Sequence, residues 1–156
     1  MTMSESNSHL QLVRQLIDWI SDSFLGQDSG HIFADLPGST GRNRPPTVNG
    51  YVPDVYVSPA TSRCLVIGEA KTARDLDRLH TRRQLTAFLC KCAESGSSVL
   101  VLAVPWDMAP SARSLIRGLR AEVRAHEVRV VVLDQLGYSA PDERPTEATD
   151  GTTHSA

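Results

Sequence analysis

Asp54, Glu69 and Lys71 are the residues whose types and spacing are best suited to chemistry. Asp54 follows a proline in the apolar run Tyr51-Val52-Pro53-Asp54-Val55-Tyr56-Val57, and a Glu-x-Lys pair closes the next run, Cys64-Leu65-Val66-Ile67-Gly68-Glu69-Ala70-Lys71. In an extended strand residues i and i+2 share a face, so Glu69 and Lys71 project to one side. If the two runs pair, Asp54 joins them. Two carboxylates and an ammonium gathered at the ends of apolar strands are costly to bury unless something offsets the cost, and a divalent cation with oxygen ligands does so. The arrangement reads as a metal site for phosphodiester hydrolysis.

The elements that must position these residues follow from hydrophobic periodicity. Val13, Leu16, Ile17, Ile20 and Phe24 recur at helical spacing, which predicts a helix over residues 9–25 with Ser6 or Ser8 as its N-cap and Gly26 and Gly30 beyond its end. Residues 31–36 read as a first strand. A long loop rich in Gly, Pro and polar residues follows over 37–46 and carries Arg42 and Arg44. The runs 51–57 and 64–71 are strands two and three, joined by the turn-rich segment 58–63. Thr81-Arg82-Arg83-Gln84 matches a capping box and predicts a helix starting near Thr81, with Leu85, Phe88, Leu89 and Cys92 on its inner face. A helix running unbroken from Arg74 would put Arg74, Arg78 and Arg82 on that same face, so a break is expected between Asp75 and His80. Residues 98–105 are almost continuously apolar, as in a strand covered on both faces, central or parallel in its sheet. A helix over 110–126 with Leu115, Ile116, Leu119 and Val123 inward and a strand over 128–133 complete the order. A meander followed by crossover units gives an α/β fold with a mixed sheet flanked by helices.

At 156 residues and 40% hydrophobic composition the chain makes one domain with a real core, spanning residues 1–138. Residues 139–156 are rich in Pro, Thr, Glu, Asp, Gly and Ser and are expected to be a disordered tail. A net charge of −2 argues against coating nucleic acid by bulk electrostatics, while an enzyme needs only local positive charge where phosphates dock. The first residues lack a basic segment and an apolar segment, and no apolar run approaches a membrane span, so a cytoplasmic location without membrane partners is expected. Cys64, Cys90 and Cys92 have no zinc-ligand spacing and read as core or spectator thiols. Gly38-Ser39-Thr40-Gly41 lacks the Gly-Lys-Ser/Thr ending of a phosphate-binding loop, and there is no Gly-x-Ser-x-Gly elbow or specific Cys-His pairing.

Pro53-Asp54, fourteen intervening residues and then Glu69-Ala70-Lys71 together resemble the PD-(D/E)XK signature of the restriction-endonuclease-like nucleases. The element order over residues 8–105 is similar to that family's αβββαβ core, to which this chain adds a helix and a strand. Two further residues resemble the RecB-like exonuclease branch, in which a histidine of the first helix joins the metal site and a Gln-x-x-x-Tyr motif follows the lysine. His9 lies on the helix face that carries Val13 and Leu16, and Gln84 has the expected spacing, but Phe88 stands where the branch has tyrosine. His9 is thus a metal ligand by resemblance, or else a histidine near a frayed helix end. Gln84 either closes the capping box or faces the substrate. Holliday-junction-resolvase-like members compete for the assignment, carrying an acidic residue where this chain has His9.

The resemblance implies Mg²⁺ or Mn²⁺ held by Asp54, Glu69 and the Ala70 carbonyl, with His9 as an added ligand, and Lys71 assisting the attacking water, with Gln84 among the catalytic residues. The substrate implied is nucleic acid, with DNA favoured. Arg82 and Arg83, at the start of a helix whose positive end would face the site, are candidates to hold the scissile strand, or are simply solvated. Arg113, Arg117, Arg120 and Arg124 form a stripe on the later helix that could track a backbone but more commonly is a wet face. A core this small gains a substrate cleft by forming a homodimer or by joining a larger complex. Two other readings use the same residues: a catalytically silent module that binds nucleic acid or protein, and a carboxylate-pair hydrolase acting on sugars, which leaves Lys71 without a task.

Overall fold

The computed structural model describes residues 3–25, 31–62 and 64–135, and the predicted tail at 139–156 lies outside the described residues. Its elements in chain order are α1 (Met3–Ile20), a wide helical turn (Ser21–Leu25), β1 (Ile32–Ala34), β2 (Val55–Val57), α2 (Pro59–Ser62) and β3 (Leu65–Ala70). They continue with α3 (Ala73–Leu76), α4 (Leu79–Glu94), β4 (Ser98–Ala103), a 3₁₀ turn (Trp106–Met108), α5 (Ala109–Glu122) and β5 (Arg129–Leu133). The five strands form one open sheet in sequential order, with β1, β2 and β3 antiparallel and β3, β4 and β5 parallel. The fold is α/β with a mixed sheet.

Alternation along the strands builds two cores, one on each face. Leu65 and Ile67 of β3, Leu100 and Leu102 of β4, and Val130 and Val132 of β5 face α4 and α5, where they meet Leu85, Phe88, Leu89, Ile116 and Leu119. Val66, Val99, Val101, Ala103, Val131 and Leu133 point the other way, into Leu12, Val13, Leu16 and Ile20 of α1. Both helices that join parallel strands, α4 and α5, therefore lie on one face while α1 covers the other. Gly68 is what lets α1 approach: a Cβ there would stand 3.0–3.1 Å from the side-chain carbons of Leu16 and Ile20.

Several expected boundaries move. α1 begins at Met3, six residues before the predicted start, so neither Ser6 nor Ser8 is its N-cap and His9 sits well inside the helix. The break expected between Asp75 and His80 is present, at Asp77 and Arg78, but α4 starts at Leu79 with Arg78 as N-cap and no side-chain cap bond. The Thr81 capping box does not form because the Thr81 hydroxyl donates instead to the Asp75 carbonyl, 2.6 Å away, and ties α4 to α3. The connector before β3 closes into the short helix α2 rather than an open turn. β2 is only three residues long. The stretch ahead of it is a tight turn in which Val48 and Tyr51 exchange backbone hydrogen bonds of 2.7 and 3.0 Å around Asn49 and Gly50. Both turn residues have positive φ, 47° and 88°, the conformation that favours an Asn-Gly pair. The Asn49 side-chain amide donates to the Ala87 carbonyl of α4, and Tyr51 packs edge-on to His80.

Candidate functional site

β2 and β3 stay in register as far as Val55 and Gly68, so the next pair in line is Asp54 with Glu69. At this point Pro53 has no N–H, and side chains take over the ladder. The Glu69 carboxylate accepts from the Asp54 amide at 3.1 Å, and the Asp54 carboxylate accepts from the Ala70 amide at 2.8 Å. Each acid thus braces the other's strand. The Asn49-Gly50 turn sets the approach of Pro53-Asp54 to this position, and an Asn-Gly pair flanked by apolar residues is the sequence signal from which that turn could have been read.

Glu69 and Lys71 share a face, as period-two spacing requires, and the Lys71 ammonium lies 3.0 Å from Glu69 Oε1. The same ammonium donates to Gln84 Oε1 at 2.7 Å. With the capping box unformed, the Gln84 side chain is available for this bond, which joins α4 to the end of β3. Glu69 is 2% exposed, Lys71 9% and Gln84 6%, so the cluster is almost dry. On the open side, His9 Nε2 of α1 lies 3.4 Å from Asp54 Oδ1, with the imidazole 40% exposed. The structure therefore brings His9, Asp54, Glu69, Ala70, Lys71 and Gln84 together where β2 begins and β3 ends.

Electrostatics follows from this packing. Burial, reinforced by the neighbouring Asp54 charge and only partly offset by Lys71, pushes the Glu69 carboxyl from 4.5 up to about 8. The hydrogen bond from His9 to Asp54 holds the imidazole above its usual value of 6.5 against the opposing effect of burial. Two acids and one ammonium at this corner leave a deficit of positive charge. Among the described residues no three His, Cys, Asp or Glu side chains close into a metal cage, because the carboxylates are turned onto backbone amides and onto Lys71. The donor types present, carboxylate oxygen with a single imidazole, suit a hard cation and not a thiophilic one.

The remaining candidates lie elsewhere. Arg82 reaches across to Glu122 of α5, with 3.8 Å between the charged atoms, and Arg83 is exposed on α4. Neither is brought to the acidic pair. Arg120 donates to the carbonyls of Ala125 and His126 and so closes the C-terminal end of α5, which accounts for one member of the arginine stripe. Arg44 pairs with Asp35 at 3.5 Å in the long loop. Cys92 is buried with its thiol pushed up to about 12, far from the reactive range. No helix of the described residues is long and apolar enough to cross a membrane. Comparison with known proteins finds no matching family model, no matching curated protein and no matching solved structure.

Proposed function

We propose that this chain is a divalent-metal-dependent nuclease of the restriction-endonuclease-like type, hydrolysing phosphodiester bonds with DNA as the favoured substrate. The observation that carries this reading is the convergence of Asp54 with the buried Glu69 and Lys71 at the ends of β2 and β3, where burial first and the Asp54 charge second push Glu69 up to about 8. A buried acid held in that state is relieved by a cation, and the donors at hand are the oxygens of Asp54, Glu69 and the Ala70 carbonyl, with His9 at the open side. Mg²⁺ or Mn²⁺, when bound, supplies compensation for the negative charge that builds on the phosphoryl oxygens.

The chain's own residues do the rest. Gln84 fixes the Lys71 ammonium with a 2.7 Å bond and leaves it further donor capacity toward a water or a phosphoryl oxygen. Lys71 thereby orients the attacking water and neutralises transition-state charge. His9, half-exposed and hydrogen-bonded to Asp54, orients that carboxylate and can exchange a proton with solvent. Asp54 and Glu69 are held in place by the amides of each other's strand, so the site is organised before a substrate arrives.

A second reading, a catalytically silent module that binds nucleic acid or protein, is favoured by one feature: Asp54, Glu69 and Lys71 already hydrogen-bond among themselves, to backbone amides and to the neutral Gln84. A cleavage assay on linear, circular and branched DNA, run with Mg²⁺ and with EDTA, separates the two. Mg²⁺-dependent cleavage that is lost in Lys71→Ala supports the nuclease. Intact substrates under every condition, with retained DNA binding, support the silent module.

A further inference from the structure

Beside the charged cluster lies an open cleft that its chemistry does not use. The cleft encloses about 290 Å³ at the C-terminal ends of the parallel strands, between Ser8 and Leu12 of α1, Thr72 and Arg74 after β3, Pro105 after β4 and Gln135 after β5. Its walls continue those of the cluster, because Ser8 precedes His9 and Thr72 follows Lys71 in the chain. The Lys71 amide also bonds to the Ala103 carbonyl at 2.9 Å, which fixes the end of β4, and hence Pro105, next to the site.

Directly after Pro105 stands Trp106, 63% exposed. An indole left in water one residue beyond the cleft wall is a surface on which a flat ring regains apolar contact. Arg74 brings a guanidinium to the same cleft, the group that best recognises phosphate. An aromatic platform and a cation flanking a phosphodiester site match the recognition of single-stranded nucleic acid, where bases stack and the backbone pairs with positive charge.

We propose that this cleft is a subsite for the unpaired nucleotide next to the scissile bond, with Arg74 on its phosphate and Trp106 against its base. The identity of the ligand rests on the nuclease reading above. The chain has two tryptophans, and Trp19→Phe leaves Trp106 as the sole indole reporter. Trp19 packs edge-on against Phe24, away from the cleft, and phenylalanine retains an aromatic ring there. The full-length variant is titrated in EDTA with a short oligothymidine and with a duplex of the same length, following tryptophan emission. Quenching by the single strand and little by the duplex is expected. In the parent chain Arg74→Ala and Trp106→Ala should each weaken anisotropy-detected binding of the labelled single strand by about tenfold. Both side chains are exposed, so circular dichroism should report unchanged folding. Absent quenching, or affinities unchanged in both variants, overturns the subsite. The same oligothymidine offered with Mg²⁺ distinguishes the two claims. Cleavage without quenching removes the subsite and leaves the nuclease, whereas quenching with no cleavage of any DNA substrate removes the nuclease and leaves only a single-strand binding site at Arg74 and Trp106.

Discussion

Replacing Glu69 with glutamine keeps the side-chain shape and an acceptor for the Asp54 amide while removing a proton equilibrium that burial has pushed from 4.5 up to about 8. A carboxyl whose native pKa lies above its unfolded value binds more protons folded than unfolded, so unfolding free energy falls as pH rises between the two values. The stabilisation is fully present below about pH 4.5 and is lost as pH climbs through about 8. Linkage between these two values gives a loss of roughly 2 kcal/mol from pH 5 to 6.5 and roughly 3–4 kcal/mol from pH 5 to 8. With a urea m-value of about 2 kcal/mol/M, the midpoint should drop by roughly 1 M over the first interval and nearly 2 M over the whole. His9 acts in the same direction, because a histidine held above 6.5 stabilises below that value and loses its contribution as pH rises through the raised one. The interval from pH 5 to 6.5 therefore isolates Glu69. Urea titrations of parent and Glu69→Gln, in EDTA, should show a falling midpoint in the parent and a nearly flat one in the variant over that interval. Parallel profiles would refute the argument that burial holds Glu69 as a protonated acid.

Lys71→Ala should abolish cleavage while leaving calorimetric Mg²⁺ binding largely intact, since the ammonium is not a ligand; full Mg²⁺-dependent activity would sink its assignment. Asp54→Ala should lose most cation binding in the same titration, and retained tight binding would contradict the proposed ligand set. Gln84→Leu removes the neutral partner of a buried ammonium and should cost on the order of 1–3 kcal/mol in urea denaturation, with an unchanged midpoint arguing that the 2.7 Å bond contributes nothing. Gly68→Val places carbons where Leu16 and Ile20 already pack and should destabilise by about 1–3 kcal/mol, read as a lowered thermal midpoint.

Much of the framework was legible because it depends on local period. Period-two spacing puts Glu69 and Lys71 on one face, and their 3.0 Å ion pair follows. The apolar run after Gly96 reads as a doubly covered strand, and its side chains do alternate between the two cores, parallel to both neighbours. The arginine periodicity between Arg74 and Arg82 required a break, and α3 and α4 are separate helices. Capping was less legible: Thr81 has the right spacing to Gln84, but each side chain has a competing partner, the Asp75 carbonyl for one and Lys71 for the other. A local motif loses when a neighbour in space offers a better bond.

The sequence by itself determined the α/β order of elements, the inward faces of α4 and the strands, and the identity of three charged residues at strand ends, because hydrophobic spacing and residue type are properties of the chain. Tertiary structure alone decided that Asp54 and Glu69 brace each other's strand across 15 and 16 residues, that Gln84 holds Lys71 across 13, and that His9 reaches Asp54. It also decided the state of Glu69, since a pKa is set by which charges surround a group and how much water is excluded, and both emerge only when distant segments pack together.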